Sequence, residues 1–364
     1  MRRTLSIVTA VVLAIAVIAT VVVASRDGDS KKVQVVRGAI GSEYEPFFAD
    51  ARVKAVFRSK GFDVQVDPAE TRAIATTVDL SRYDLAFPGG SPAAQKIRTD
   101  RNINSSYVPF FTPMTVATFT PIAQLLARAG VAKDHGGWWT LDMKGFLELV
   151  NKGTRWNELA GNTSYPSGKQ IVISSGDIAT SNSAAMYASI ASDVANSNNV
   201  VDNPAQVDHV VNEVSPLFLR QSDTDRSTKS VFDDYLSIGI GKTPMAMIYE
   251  AQFVARAAIN DGSIQPNMVL MYPDPDIISK PTLVPLTANG DAVGRLLDTH
   301  ATLQQLAVEY GFRTATPGVF AGFVRQHGVS VPARLGNVIE PPSYDNLEAL
   351  IDRLIAGLSV PGEP

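Results

Sequence analysis

The chain has no cysteine, which excludes disulfide bonds, thiolate chemistry and a lipid anchor attached through sulfur. Histidine is scarce as well. His135, His209, His300 and His327 are scattered, and none falls into a His-Glu-x-x-His pair or another metal-ligand spacing. No Gly-x-Ser-x-Gly turn occurs, so the usual α/β-hydrolase nucleophile is missing. Gly241-Lys242-Thr243 ends like a phosphate loop, but Leu236 stands where that loop needs its first glycine. Asp274-Pro275-Asp276 lacks the glycine and the terminal glutamate of a calcium loop. The net charge is −4 and no Lys/Arg-rich run follows residue 32, which argues against a nucleic-acid surface. These absences lean away from an enzyme, and they call for no cofactor and no metal.

What remains has an ordinary globular composition, 45% hydrophobic and 19% charged. It is long enough to bury a core without disulfide staples. One stretch stands apart. Arg2 and Arg3 precede residues 5–24, which carry no charge, and Arg26, Asp27, Asp29, Lys31 and Lys32 follow. As a helix this run spans about 30 Å, the thickness of a bilayer's hydrocarbon core. The basic residues before it favour keeping that end in the cytoplasm. Residues 1–24 are therefore expected to be a signal or anchor segment and residues 25–32 a polar linker, with everything after them outside the cytoplasmic membrane. Val22-Val23-Ala24 before Ser25 offers a cleavage site, whereas the length of the run favours a retained transmembrane helix.

From Val33 onward short apolar runs alternate with amphipathic stretches. Strands are expected over residues 33–36, 62–66, 84–87, 114–119 and 170–174, with residues 234–240, 244–256 and 268–272 as further elements. Helices are expected over residues 47–60, 121–129, 293–310 and 344–358, and one after the cap Thr180-Ser181-Asn182-Ser183. Such alternation predicts βαβ units and a mainly parallel sheet. The length favours two lobes over one core, and no linker separates two consecutive halves. A chain that leaves one lobe, builds a second and returns has that property.

Four loops at the ends of expected strands carry small hydroxyl-bearing residues: Gly41-Ser42-Glu43, Glu70-Thr71-Arg72, Gly89-Gly90-Ser91 and Thr180-Ser181-Asn182-Ser183. In open α/β sheets ligands bind at the carboxyl ends of strands, where backbone amides and helix starts converge. Each loop also reads as a plain helix cap. Arg72 has the fork of donors that clamps an anion, or equally pairs with Glu70 on the surface. Tyr249 and Glu250 lie where a buried apolar strand turns polar; a carboxylate there faces a cleft, is paired, or opens a helix. Trp138, Trp139 and Trp156 are expected in packing, with an aromatic ligand platform as the lesser reading.

These residues together resemble the type II periplasmic or extracellular solute-binding proteins, in particular their molybdate/sulfate-like branch. Three stretches carry the likeness: the strand leading into Gly41-Ser42-Glu43, the segment Thr112-Pro113-Met114-Thr115-Val116-Ala117-Thr118, and the segment Ile171-Val172-Ile173-Ser174-Ser175-Gly176-Asp177 through Ser181-Asn182-Ser183. The resemblance implies two α/β lobes joined by a two-stranded hinge and closing on a small solute. It divides the chain into lobe one, residues 33–113 plus 283–364, and lobe two, residues 114–282. It suggests Ser42 and Ser91 on lobe one and Ser181 to Ser183 on lobe two as ligand donors, with Tyr249 by analogy. The full candidate set is Ser42, Glu43, Thr71, Arg72, Ser91, Thr115, Ser181, Asn182, Ser183, Tyr249 and Glu250. The acidic Glu43 and Glu250 are poor neighbours for a bare oxyanion, and a cation-bearing or neutral polar solute fits them as well.

The expected function is capture of a small polar solute outside the cytoplasm by a monomer, with an ABC-type permease as candidate partner and membrane contact through residues 5–24. Two alternatives stay open. One is an anchored envelope protein that uses the same fold as a docking surface; the other is an extracellular enzyme with Glu43 or Glu250 as acid or base.

Overall fold

A computed structural model describes residues 33–221, 227–316 and 318–359; the expected signal or anchor segment lies outside the described residues. The chain opens with β1 (Gln34–Gly41), β2 (Phe62–Ala69) and β3 (Leu85–Phe87), which form a parallel sheet with β1 in the middle. β4 (Thr112–Phe119) then leaves this sheet and founds a second one. β5 (Ala132–Asp134), β6 (Trp139–Asp142), β7 (Met245–Tyr249), β8 (Met268–Asp274) and β9 (Asp276–Ser279) complete most of it. β10 (Val284–Pro285) returns to the first sheet antiparallel to β3, and β11 (Val338–Ile339) adds to the edge of the second.

β4 explains how the two halves are joined. It is buried along its whole length and has partners along both of its edges. β7 runs antiparallel along one edge, and β8 followed by β9 runs antiparallel along the other. The outgoing and returning passages of the chain are thus hydrogen-bonded to each other at the crossing between the halves.

The two halves are packed differently. Around the small sheet the core is aromatic: Tyr44, Phe47, Phe48, Phe57, Phe87, Phe110 and Phe312 interlock. Phe110 stacks on Phe312 at 4.5 Å between ring centres, and Tyr44 meets Phe87 at 5.2 Å. The larger core relies on methionine and small aliphatic side chains, among them Met114, Met143, Met186, Met245, Met247 and Met271. Directed ring packing favours one arrangement, whereas methionine fills irregular gaps. Trp139 and Trp156 are buried in that larger core, and Trp138 stacks half-buried on His135.

Apart from shifts at strand ends, four segments depart from the sequence reading. The helix expected over 47–60 is two, Glu45–Ala49 and Ala51–Ser59, because Asp50 is extended and its carboxylate accepts the N–H of Arg52 at 2.7 Å as a cap. The helix expected over 293–310 breaks at an extended His300, where Gln304 Nε2 donates to the Leu297 carbonyl near the end of the first piece. The segment 170–174 is buried at Ile171 and Ile173 but touches its neighbours only through isolated bridges. Finally, the helix Tyr344–Ser359 inserts Leu347, Leu350, Ile351 and Leu354 into the larger core. The sequence boundary had grouped it with the first lobe. None of the described helices is long and apolar enough to cross a membrane.

Candidate functional site

The strand ends converge on a cleft of about 490 Å³ at the crossing between the two halves. Ser42, Glu43 and Glu70 enter it from turns after β1 and β2, and Thr112 from the start of β4. Opposite come Ser181 and Asn182 at the start of the helix Asn182–Ala195, Thr228 and Lys229, and Tyr249 at the end of β7 with Gln252 beyond it. Tyr44, Tyr310 and Phe312 add rings from the aromatic core. Gly311 lets the chain pass here: its φ is +81°, and a Cβ would lie 2.2 Å from the carbonyl oxygen of Ala251.

Glu43 is the most unusual group in the cleft. Its carboxyl is tucked against glycine backbone, so that a Cβ on Gly89 would stand 2.3 Å from Oε1 and one on Gly41 2.8 Å from Oε2. Burial, reinforced by the nearby Glu70, pushes its pKa up to about 7. No ion-pair partner reaches it among the described residues. Burial also raises Glu70, with Asp177 adding to the effect. The phenols of Tyr44 and Tyr249 are held protonated by burial and by the proximity of Glu43. Near neutral pH the cleft therefore offers a carboxyl group balanced between its acid and base forms, beside phenol donors and ring faces.

The Gly89 carbonyl ties the walls together. It accepts from Asn182 Nδ2 at 3.2 Å, from Ser279 Oγ at 3.0 Å and, at a longer 3.5 Å, from the Tyr44 hydroxyl. Asn182 also donates to the Tyr249 hydroxyl at 3.0 Å. One side chain from the larger half thus bridges to the small-sheet half and to the cleft tyrosine.

Of the eleven candidates, Ser42, Glu43, Ser181, Asn182 and Tyr249 line the cleft. Ser181 also caps its helix, and its hydroxyl joins those of Ser183 and Thr228 in a cluster. Ser183 is fully buried and turned into that cluster. Thr71 supports the site from behind: its Oγ1 accepts the Gly89 N–H at 2.9 Å. Ser91 begins the helix Ser91–Arg101 and does not line the cleft. Thr115 is buried in β4, where its hydroxyl reaches the Ile248 carbonyl at 3.4 Å. Arg72 pairs not with Glu70 but with Glu348, at 2.5 Å, and donates to the Ala179 carbonyl at 2.8 Å.

Glu250 is directed elsewhere. Its two oxygens accept a fork from Arg313, each at 2.7 Å, and Tyr272 donates to it at 2.6 Å. It is fully buried and is not part of the cleft lining. The side chain left open by the sequence is thus a paired one, welding the start of the helix Glu250–Ile259 to β8 and to the segment after Phe312.

Comparison with known proteins bears on the fold. No protein-family model and no curated protein sequence matches the chain. Solved structures do match. A sulfate-binding protein, SubI from Mycobacterium tuberculosis H37Rv, aligns at 16% identity over 86% of this chain and 96% of its own, with a TM-score of 0.50. The substrate-binding protein of an ABC transporter from Agrobacterium tumefaciens aligns at 13% identity over 90% and 95%, with a TM-score of 0.57. Iron-bound HitA from Pseudomonas aeruginosa aligns at 12% identity over 90% and 100%, with a TM-score of 0.54. The fold is that of the type II solute-binding proteins. At these identities the likeness is one of architecture, and the cleft has to be read from its own side chains.

Several cleft residues escaped the sequence reading. Glu70 was visible in a strand-end loop, yet Thr71 and Arg72 beside it drew the attention. Tyr310 and Phe312 flank Gly311, and an aromatic-Gly-aromatic triplet is a signal for backbone passing close beneath another element. Thr228, Lys229 and Gln252 carry no local signal; only the tertiary fold brings them to the cleft.

Proposed function

We propose that the chain is an extracytoplasmic solute-binding protein that holds a small polar solute in the cleft between its two halves and delivers it to an ABC-type permease. The observation that carries this reading is the cleft itself. Residues from both sheets line it, it sits where the paired strands β4 and β8–β9 cross, and its size suits a small molecule. A ligand touching both walls favours the closed arrangement by its differential contacts. Ser42, Glu43, Ser181, Asn182 and Tyr249 are the ligand contacts in this reading. The uncharged run of residues 5–24 holds the protein near its transporter.

A thermal-unfolding screen of the purified full-length chain against anions, sugars, amino acids and amines tests the proposal. A true ligand at a hundred times its Kd stabilises the folded state by about 2.7 kcal/mol. The radius of gyration from small-angle scattering should fall with it. No stabilisation across the panel, together with co-purification of a membrane partner, would replace solute capture by the docking-surface reading.

A further inference from the structure

We propose that the cleft selects a small organic cation, an ammonium group on a compact polar body, in preference to an oxyanion. This rests on the solute-binding reading above and names the chemistry of its ligand. Glu43 and Glu70 both line the cleft, and neither has an ion-pair partner among the described residues. Asp177 lies close enough to Glu70 to disturb its ionisation. Among the described lining residues there is no arginine, and the single lysine, Lys229, is 80% exposed and pairs with Asp233 at 2.5 Å. Arg72, the anion clamp that the sequence offered, is held by Glu348 and does not line the cleft.

An oxyanion here would meet two carboxyl groups with no dedicated cation to offset them. An ammonium group would meet counter-charges and ring faces together. Tyr44, Tyr249, Tyr310 and Phe312 all contribute to the lining, and the faces of such rings attract cations, most strongly where water is excluded. Glu43 strengthens the case because its half-buried carboxyl packs against Gly41 and Gly89 with no protein cation beside it among the described residues. A buried carboxylate without a partner is costly, and a bound ammonium supplies that partner.

The proposal fixes the sign of a pH effect. The groups that face Glu43 are Tyr44 on its own turn, Glu70 after β2, Thr71 beyond Gly89, and Tyr249 at the end of β7. The phenols keep their protons through neutral pH, so Glu43 and Glu70 are the titrating groups. A cation binds the ionised cleft and displaces the Glu43 proton, so its affinity rises with pH through about 7. An oxyanion prefers the protonated cleft and shows the opposite slope.

Isothermal titration of the full-length chain with choline, putrescine, sulfate, molybdate and glucose, each at pH 6 and pH 8, separates the cases. Choline or putrescine should bind, about tenfold more tightly at pH 8 than at pH 6. Glu43→Gln should weaken that binding at least tenfold and flatten its pH dependence, with thermal melting confirming that the variant folds. If it does not fold, the wild-type slope alone decides. Binding of sulfate or molybdate that tightens toward pH 6, or glucose binding with no pH dependence, overturns the cation assignment and leaves solute capture standing. Silence from all five probes counts against the cation and, with an equally silent broad screen, against solute capture too.

Discussion

Glu43 and Glu250 make an instructive pair. Each follows a strand, β1 or β7, each sits at the start of a helical turn, and each has a tyrosine beside it, Tyr44 or Tyr249. Their surroundings are opposite. Glu250 is enclosed by a bidentate arginine and a phenol, while Glu43 faces a cleft whose single lining cation among the described residues, Lys229, is exposed and paired with Asp233. A buried carboxylate that is paired serves the fold; one left unpaired at a cleft is available to a ligand. The contrast predicts its largest effect at Arg313, where burial opposes the charge and Glu250 restores it. Arg313→Ala should cost about 3–5 kcal/mol in urea unfolding, because it strands a buried negative charge. The double variant Glu250→Met with Arg313→Met should recover most of that loss. Weakened ligand binding in Arg313→Ala at full stability would break the contrast, because it would make the pair part of the site.

The next effect belongs to Glu43 and depends on pH. Its carboxyl titrates near 4.5 in an unfolded chain and near 7 in the cleft, so the folded state holds the proton more tightly. The stability this contributes is complete below about pH 4.5 and disappears as pH rises through about 7, a change of up to about 3 kcal/mol. Glu43→Gln cannot titrate, so its urea midpoint should lose this decline between pH 5 and pH 8. A wild-type protein whose stability rises over that window would mean that the carboxyl has a partner after all.

How much of this was legible follows from the same pair. The alternation of strands and helices, the strand-end loops and the polar end of an apolar strand are local patterns that point to Ser42, Glu43, Ser181, Asn182 and Tyr249, whereas the crossing at residues 112–118 rests on the family resemblance. What decides the role of Glu250 is not local. Arg313 is 63 residues away, and nothing around Glu250 announces it. Thr115 shows the same limit from the other side: a hydroxyl within a crossing segment looks available until β7 covers it. Ser181 and Ser183 show that the plain capping reading and the cleft reading are compatible, since Ser181 fulfils both while Ser183 is turned inward. The C-terminal helix went to the larger core because Leu347, Leu350, Ile351 and Leu354 fit any apolar surface, and sequence spacing does not say which.

The smallest effect tests a residue between these extremes. Arg72 stands on the helix Thr71–Thr76 of the small-sheet half, yet its partners, the Ala179 carbonyl, Glu348 and, at 3.5 Å, Asp352, lie in segments that pack with the larger half. It flanks the cleft as a clasp between the halves and contributes no charge to the lining. A partly exposed ion pair of this kind is worth about 1 kcal/mol. Arg72→Ala should therefore leave the pH slope of ligand binding unchanged and weaken affinity by no more than about fivefold. The loss should show as faster dissociation in stopped-flow traces, because a clasp acts on the closed state. A fall of a hundredfold or more, or an altered pH slope, would instead put Arg72 in the cleft beside Glu43 and supply the counter-charge that separates Glu250 from it.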